Sequence, residues 1–252
     1  MSDYLIPQWP APATVRALCT TRSGGVSQAP YDSLNLGDHV GDDPLAVAAN
    51  RATLQSALAA RPVFLSQVHG TDVLSLAPDS AHGIAADASL STQTGLACSI
   101  MVADCLPVLF TNVQGSVVAA AHAGWRGLAG QGGRGVLEQT LNAFAAAGAA
   151  SDILAWLGPC IGPQAFEVGD DVRDAFMAQD SAVQTLFKMQ ANGKWLADLP
   201  GLARMRLRQA GVERIYGNDG SLPWCTVSNP ARFFSHRRDR VSGRMAACIW
   251  RV

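Results

Sequence analysis

Short apolar runs, each bounded by glycine, proline, asparagine or aspartate, recur through the first two thirds of the chain. They occupy residues 62–70, 97–105, 106–112, 115–123 and 152–158. Runs of this length that are rich in β-branched and other apolar residues predict strands, several of them buried on both faces.

Other segments space their apolar residues with the period of a helix. Asp42-Asp43-Pro44 followed by LAVAANRATLQSALAA predicts a helix with an acidic N-cap and a proline in the first turn, ended by Pro62. Further helices are predicted at 132–147, 170–179 and 196–209. Because the strands come in both hairpin-like and crossover-like orders, we expect an α+β fold, a layered α/β sandwich with a mixed β-sheet. Dividing the chain would cut through these runs, so residues 1–252 are predicted to form a single domain.

One predicted hairpin brings two reactive side chains together. If 106–112 and 116–122 pair around a turn that sets Asn112 opposite Gly115, then Cys105 lies opposite His122, and the thiol and the imidazole share one face of the sheet. A slip of one residue would separate them. Pro107 indicates that the first strand of the hairpin is an edge strand or is bulged.

The composition and charge of the chain limit the kinds of partner that we expect it to bind. A 252-residue chain with 48% hydrophobic and 15% charged residues is typical of a globular protein with a large core. The net charge of -1 argues against a nucleic acid as a partner. The N-terminal segment lacks the pattern of a secretory signal, and no apolar run reaches membrane-spanning length, so we expect no membrane association and a cytoplasmic location. The six scattered cysteines suit a reducing compartment.

A third candidate ligand follows an apolar strand. His69, in QVHGTDV, precedes a glycine and is therefore expected at the end of its strand. Two imidazoles and one thiolate, here His69, His122 and Cys105, match a catalytic zinc site that keeps a fourth position open. The residues alone leave a plainer alternative open, in which both histidines are satisfied turn residues and the cysteine belongs to the core.

Five successive segments carry a family resemblance: QVHG, ADC-x-P-V-L-F, AAHAGWRG, LGPCIGPQAFEVG and FFSHRRDRVSGRMAACIW. In this order the chain resembles the YfiH-type laccase-domain family, which is also labelled a polyphenol oxidase and a purine nucleoside phosphorylase family. His236 stands where the tail motif of the family often has tyrosine.

The resemblance implies a layered α+β fold and a zinc site made from His69, Cys105 and His122. It also implies that the substrates are purine nucleosides and phosphate. Adenosine, inosine, guanosine and methylthioadenosine would undergo phosphorolysis, and adenosine would also be deaminated.

Phosphate handling points to the glycine-rich segment that follows the last of these ligands. Gly124-Trp125-Arg126-Gly127, continued toward Arg134 and a helix, offers backbone N–H groups and arginines as a phosphate cradle. A merely flexible turn is the alternative. Further candidates are Arg22 and Arg237 for phosphate, Trp125 for stacking on the base, Glu167 for acid–base chemistry, and Asp87 and Asp104 for orienting the histidines.

Two other functions remain open at this point. A copper-dependent polyphenol oxidase fits the ligand types of a blue-copper centre, but a chain with five histidines (His39, His69, His82, His122 and His236) has too few for a coupled oxygen-reducing cluster as well. A metal-free hydrolase would use Cys105 as nucleophile and His122 as base, acting on an amide such as one in a cell-wall precursor.

Overall fold

A computed structural model describes residues 3–252, in which thirteen strands, six α-helices and two short 3-10 helices follow one another along the chain. The strands are β1 (Val15–Cys19), β2 (Arg61–Phe64), β3 (Val73–Ser75), β4 (Ala88–Ser91), β5 (Leu96–Val102), β6 (Leu106–Asn112), β7 (Val118–Ala123), β8 (Ile153–Leu157), β9 (Glu167–Val168), β10 (Phe187–Met189), β11 (Trp195–Ala197), β12 (Arg214–Gly217) and β13 (Met245–Arg251). The helices are α1 (Pro44–Leu58), α2 (Trp125–Ala129), α3 (Val136–Ala146), α4 (Asp170–Met177), α5 (Leu199–Gln209) and α6 (His236–Asp239).

The strands form two large mixed sheets and one small sheet. The four-stranded sheet has the order β1-β13-β5-β2, and the six-stranded sheet has the order β12-β8-β6-β7-β4-β3. Each contains both parallel and antiparallel pairs. Strands β10, β11 and β9 form the small antiparallel sheet. The predicted layered α+β fold with mixed β-sheet is confirmed, and the layers contain two stacked sheets.

Alternation along the strands explains the layers. In β5, Ile100 faces the six-stranded sheet, where it shares a core with Leu109 of β6, whereas Met101 faces outward and packs with the side of α1 that carries Leu54. The outer face of the six-stranded sheet is covered by a separate core, to which α3 and α5 contribute. Strands β5, β6, β7 and β8 therefore bury both of their faces, and this explains their nearly continuous apolar sequences.

The β6–β7 hairpin is present with a different register from the predicted one. Gly115 N–H donates to Asn112 O at 2.9 Å, as in the predicted turn. Pairing resumes only at Thr111 with Val118, because the Asn112 side chain accepts from Ser116 N–H and extends the loop. His122 therefore lies opposite Pro107, and the predicted pairing with Cys105 is wrong by two residues. A shift of two keeps the side chains on the same face, so the thiol and the imidazole still converge.

The sequence context of Pro107 indicated that its strand is an edge strand or is bulged. The edge-strand prediction is wrong. Strand β6 lies between β7 and β8 in the middle of the six-stranded sheet. Pairing with β8 starts at Val108, so the missing N–H of Pro107 falls at the start of the strand.

All four predicted helices are present, and their limits differ from the predicted ones by up to four residues. Helix α1 has Asp43 as its N-cap, whose side chain accepts from Leu45 N–H at 3.0 Å, and it ends before Pro62, which already lies in β2. Helix α3 begins at Val136 rather than at 132, because Gly132 and Gly133 have positive φ angles of 57° and 77°. The other two predicted helices correspond to α4 and α5.

Within residues 3–252, none of the helices combines the length and the apolar character needed to cross a lipid bilayer.

Candidate metal centre and active site

Three side chains that could ligate a metal converge where β7 ends. One ligand atom from each of His69, Cys105 and His122 lies within 4.8 Å of the other two, and Cys105 Sγ is 3.7 Å from His69 Nε2. Zinc bonds of usual length in tetrahedral geometry separate sulfur and nitrogen ligands by about 3.6 Å. In the part of the chain that the structure describes, this is the one group of three or more His, Cys, Asp or Glu side chains suited to a metal. The separation of Cys105 Sγ from His69 Nε2 and the donor set of one thiolate and two imidazoles both fit a zinc ion.

The turn after β2 positions His69. This residue is exposed and has a φ of 61°, in the left-handed region that residues other than glycine rarely adopt. Asp87 stabilises the turn, since its carboxylate accepts from three consecutive N–H groups, those of Val68 at 3.1 Å, His69 at 2.9 Å and Gly70 at 2.6 Å. The strained backbone of the ligand is therefore held by a buried anion.

The same carboxylate orients His122. His122 Nδ1 lies 2.8 Å from Asp87 Oδ1, and its backbone N–H donates to Asp87 O at 2.7 Å. The hydrogen bond between the His122 ring and Asp87 places a proton on Nδ1 and leaves Nε2 to ligate a metal. The predicted contact of Asp87 with the ligating histidines is present, through the ring of one and the backbone of the other.

Asp104 has a different role from the predicted one. Its Oδ1 accepts from Thr226 Oγ1 at 2.5 Å and its Oδ2 accepts from Arg237 N–H at 2.6 Å, so its carboxylate binds neither histidine. The residue has a φ of 94°, and its carbonyl accepts from Ile161 N–H at 2.9 Å. Asp104 therefore fixes the turn that carries Cys105 through hydrogen bonds to three distant residues.

Two glycines of the GWRG motif allow this close packing. A Cβ on Gly124 would lie 2.7 Å from His69 Cδ2 and 3.1 Å from Cys105 Sγ, and a Cβ on Gly127 would lie 2.7 Å from Gly70 O. These separations are shorter than van der Waals contact. The motif needs glycine because α2 packs directly on the cluster, and Gly127, a predicted phosphate ligand, is buried in that packing.

Cys105 and His122 form an ion pair when no metal is bound. Burial raises the pKa of the Cys105 thiol, but the charge of His122 and hydrogen bonds from both imidazoles outweigh it and lower this pKa from 9.0 to about 6. Burial lowers the pKa of His122, whereas the Cys105 thiolate and Asp87 raise it from 6.5 to about 9. At neutral pH the pair is a thiolate and an imidazolium, so zinc binding must displace the His122 proton.

Two clefts flank Trp125. We name the first, which has a volume of about 160 Å³ and includes Cys105, the apolar slot. Its apolar walls are Ala103, Ile161, Phe166 and Leu199. The second, the cationic groove, has a volume of about 580 Å³ and includes His69, Arg126 and Arg134. Trp125 lines both clefts and separates them.

The predicted arginines divide between these clefts and the rest of the surface. Arg126 and Arg134 are exposed in the cationic groove, and the Arg126 guanidinium lies over the Trp125 ring at 4.4 Å. Arg237 lines the apolar slot. Arg22 lines neither cleft; its side chain donates to the carbonyls of Asp32 and Pro230, joining two loops.

Glu167 and the predicted helix N-terminus do not face the cluster. The Glu167 carboxylate accepts from Asn192 Nδ2 at 3.1 Å, and the residue lines neither cleft. The N-cap of α3 offers no free N–H to a phosphate, because Gly135 N–H donates to Glu138 Oε2 at 2.8 Å. The exposed side chains of Arg126 and Arg134 remain as phosphate donors in this segment.

Sequence reasoning missed the walls of the apolar slot. Ile161 and Phe166 belong to LGPCIGPQAFEVG, and His236 belongs to the tail motif, so the motifs themselves were the available signal. His39 and His82 lie outside the cluster and both clefts.

Comparison with known proteins places the chain in a family. The family model described as multi-copper polyphenol oxidoreductase laccase matches residues 16–252. The chain belongs to the YfiH-type laccase-domain family. Among family members, the purine nucleoside phosphorylase YfiH of Escherichia coli is 52% identical over 254 residues, covering 100% of both chains. A purine nucleoside phosphorylase of Pseudomonas aeruginosa is 52% identical over 251 residues, covering 99% of each.

Solved structures of YfiH-type proteins agree with the fold. A Neisseria meningitidis protein superposes with a TM-score of 0.90 at 47% identity, covering 98% of both chains. YlmD from Geobacillus stearothermophilus superposes with a TM-score of 0.82 at 34% identity, covering 95% of this chain and 92% of that one.

Replacing Asp87 by Asn tests the shared carboxylate. The amide would turn its NH2 toward N–H groups that now donate to an oxygen, so we expect the free energy of unfolding in urea to fall by about 3 kcal/mol. Zinc affinity should fall by about 10–100-fold. Asp79→Asn, at an exposed aspartate, should change neither by a measurable amount. Equal effects of the two substitutions would contradict this role for Asp87.

The ion pair predicts an early thiol titration. In metal-free protein, alkylation of Cys105 should accelerate with a midpoint near pH 6, because its pKa is about 6, and His122→Ala should move the midpoint up toward the ordinary 9.0. Burial raises the pKa of Cys98 and Cys248 to about 12, so these thiols should stay unreactive at that pH. Peptide mapping identifies the modified residue. A midpoint near 9 in the unsubstituted protein would contradict the ion pair.

Proposed function

We propose that the protein is a zinc-dependent purine nucleoside phosphorylase that converts adenosine, inosine, guanosine or methylthioadenosine and phosphate to the free base and a ribose 1-phosphate. The observation that carries the proposal is a three-ligand cluster between an apolar slot and a cationic groove. Relatives that match the whole chain at 52% identity bear the name purine nucleoside phosphorylase. The free cysteines are compatible with action in the cytoplasm, where thiols stay reduced. The proposal takes residues 1–252 as a single domain.

Each part of the substrate has a matching surface. The apolar slot is too small for a whole nucleoside, since pockets for larger ligands usually enclose 300–1,000 Å³, but its size and apolar walls suit a planar base. Trp125 and Phe166 offer aromatic surfaces for stacking. Arg126 and Arg134 supply donors for a phosphate dianion on the other side of Trp125. The ribose would then lie beside the cluster.

The reaction requires the phosphate dianion and the apolar base to be held on different surfaces of the site. A phosphate oxygen forms a bond to the anomeric carbon of the ribose, the bond from that carbon to the base nitrogen breaks, and the electron pair leaves with the base. The base takes up the proton that the hydrogen phosphate gives up. The arginines hold the dianion against the anomeric carbon and lower the entropic cost of the encounter. Trp125 and the apolar walls exclude water, which would otherwise compete with phosphate.

His69, Cys105 and His122 would hold the zinc, with Asp87 fixing both histidines. When bound, zinc supplies a Lewis acid and a water of lowered pKa, which is the chemistry that a companion deamination of adenosine needs.

A metal-free cysteine hydrolase is the second candidate, and the low pKa of Cys105 beside His122 is the observation that favours it. The family model's description favours copper instead. One cluster with a single sulfur and two imidazoles fits one ion, and His39, His82 and His236 lie outside it, so a multi-copper oxidase lacks ligands among residues 3–252. Metal analysis of purified protein separates these functions.

The products formed from adenosine test the proposal. With phosphate we expect adenine and ribose 1-phosphate, and without phosphate we expect slow formation of inosine, both followed by chromatography. Cys105→Ala and His69→Ala should each lower both rates by more than about 100-fold, because removing a ligand exceeds the loss of a supporting hydrogen bond. His39→Ala is the matched control, since this exposed histidine lies outside the cluster. Normal phosphorolysis in Cys105→Ala protein would rule out the zinc mechanism.

Arg126→Ala separates phosphate handling from metal binding. Loss of a charge-assisted hydrogen bond should raise the KM for phosphate by about 10-fold or more. Bound zinc should stay at the level of the unsubstituted protein, because the side chain does not ligate. Arg208→Ala removes an exposed arginine of α5 outside both clefts and should leave the KM unchanged. If zinc and phosphate use were lost together, Arg126 would support the structure of the site instead.

A further inference from the structure

The polar side chains at the apolar slot differ in what they can offer a base. The slot is lined by Asp104, Cys105, Trp125, His236 and Arg237 besides its apolar walls. The indole and the guanidinium only donate hydrogen bonds, the Asp104 carboxylate, which is held by Thr226 and Arg237, only accepts them, and the thiolate belongs to the metal cluster. Among the polar side chains that line the slot, His236 is the one that combines both capacities, since a neutral imidazole carries one donor and one acceptor.

The position of His236 is fixed although its side chain is exposed. It begins α6, whose N-cap Ser235 accepts from Arg238 N–H at 3.2 Å. The backbone N–H of the next residue, Arg237, donates to the Asp104 carboxylate at 2.6 Å, and Asp104 immediately precedes Cys105 in the chain. Within residues 3–252, the His236 ring nitrogens form no hydrogen bond, so they are available to a ligand in the slot.

We infer that His236 is a specificity-determining residue that reads the substituent at position 6 of the purine. This inference rests on the proposed function. A 6-oxo group, as in inosine, accepts a hydrogen bond, whereas a 6-amino group, as in adenosine, donates one. An imidazole meets either group by exchanging the proton between its nitrogens, so one residue admits both classes of purine.

Substitutions that keep only one half of this capacity test the inference. The measurement is kcat/KM for inosine and for adenosine at saturating phosphate. His236→Lys, a donor only, should shift the ratio by about 10-fold toward inosine, and His236→Glu, an acceptor only, by about 10-fold toward adenosine. His236→Gln, whose amide donates and accepts, should keep the ratio within about 3-fold of the starting value.

The controls separate hydrogen bonding from charge. His39→Lys and His39→Glu make the same charge changes at an exposed histidine outside the slot and should leave the ratio unchanged, since both nucleosides are neutral. For purine riboside, which carries only hydrogen at position 6, the Lys, Glu and Gln variants at position 236 should not differ from one another. A ratio that stays constant in the Lys and Glu variants would overturn the inference.

Binding of free bases distinguishes a failure of the inference from a failure of the proposed function. Calorimetric titration with hypoxanthine and adenine should show the same opposite shifts in affinity. Should the unsubstituted protein release no ribose 1-phosphate yet bind both bases with this dependence on residue 236, the phosphorylase function would fall and the inference would stand. Absence of base binding, or equal affinity changes for both bases in every variant, would overturn the inference even in an active phosphorylase.

Discussion

The buried carboxylate of Asp87 is the interaction on which the site depends. An ionised carboxylate out of water is costly unless donors surround it, and Asp87 has three consecutive backbone N–H groups and one imidazole. Burial raises the pKa of this carboxyl, but the hydrogen bonds, led by that of His122, lower it below 3.8. The ionised carboxylate therefore stabilises the fold at pH values above 3.8, the ordinary pKa of the group. This stabilisation is lost as the pH falls through the lower pKa of the native state. One anion thus links a strained turn, a strand end and the charge state of a ligand.

Whether the sequence could predict a part of this arrangement depends on how far apart along the chain the interacting residues lie. Cys105 and His122 were predictable on one face, because strand alternation survives a register shift of two residues. The shift itself was not predictable, since it results from one asparagine side chain bonding to the loop. The start of α3 depended on two glycines that adopt positive φ, a backbone choice that spacing alone does not reveal.

Long-range contacts set a second limit. Asp104 looked like a supporting carboxylate for the histidines because it precedes Cys105, but its partners, Thr226 and Arg237, come from more than a hundred residues away. The apolar slot likewise combines residues from five separate parts of the chain. Motifs identified all of these parts except the one that contains Leu199, and only the tertiary structure shows that they meet. Arg22 was predicted to bind phosphate because it lies in a motif-like segment, but its side chain instead joins two loops.

The place of β13 in the four-stranded sheet has a consequence for how the protein reaches this structure. β13 follows every other element along the chain, yet it lies between β1 and β5 and pairs with both. Until it emerges from the ribosome, β1 has no partner strand in that sheet, and the core between the sheets lacks one wall. The segment that presents His236 and Arg237 follows the other slot residues along the chain, so the apolar slot can close only after that segment is translated. The four-stranded sheet can therefore be completed only after translation of β13, and a nascent chain stalled before that point would leave apolar strand edges unpaired.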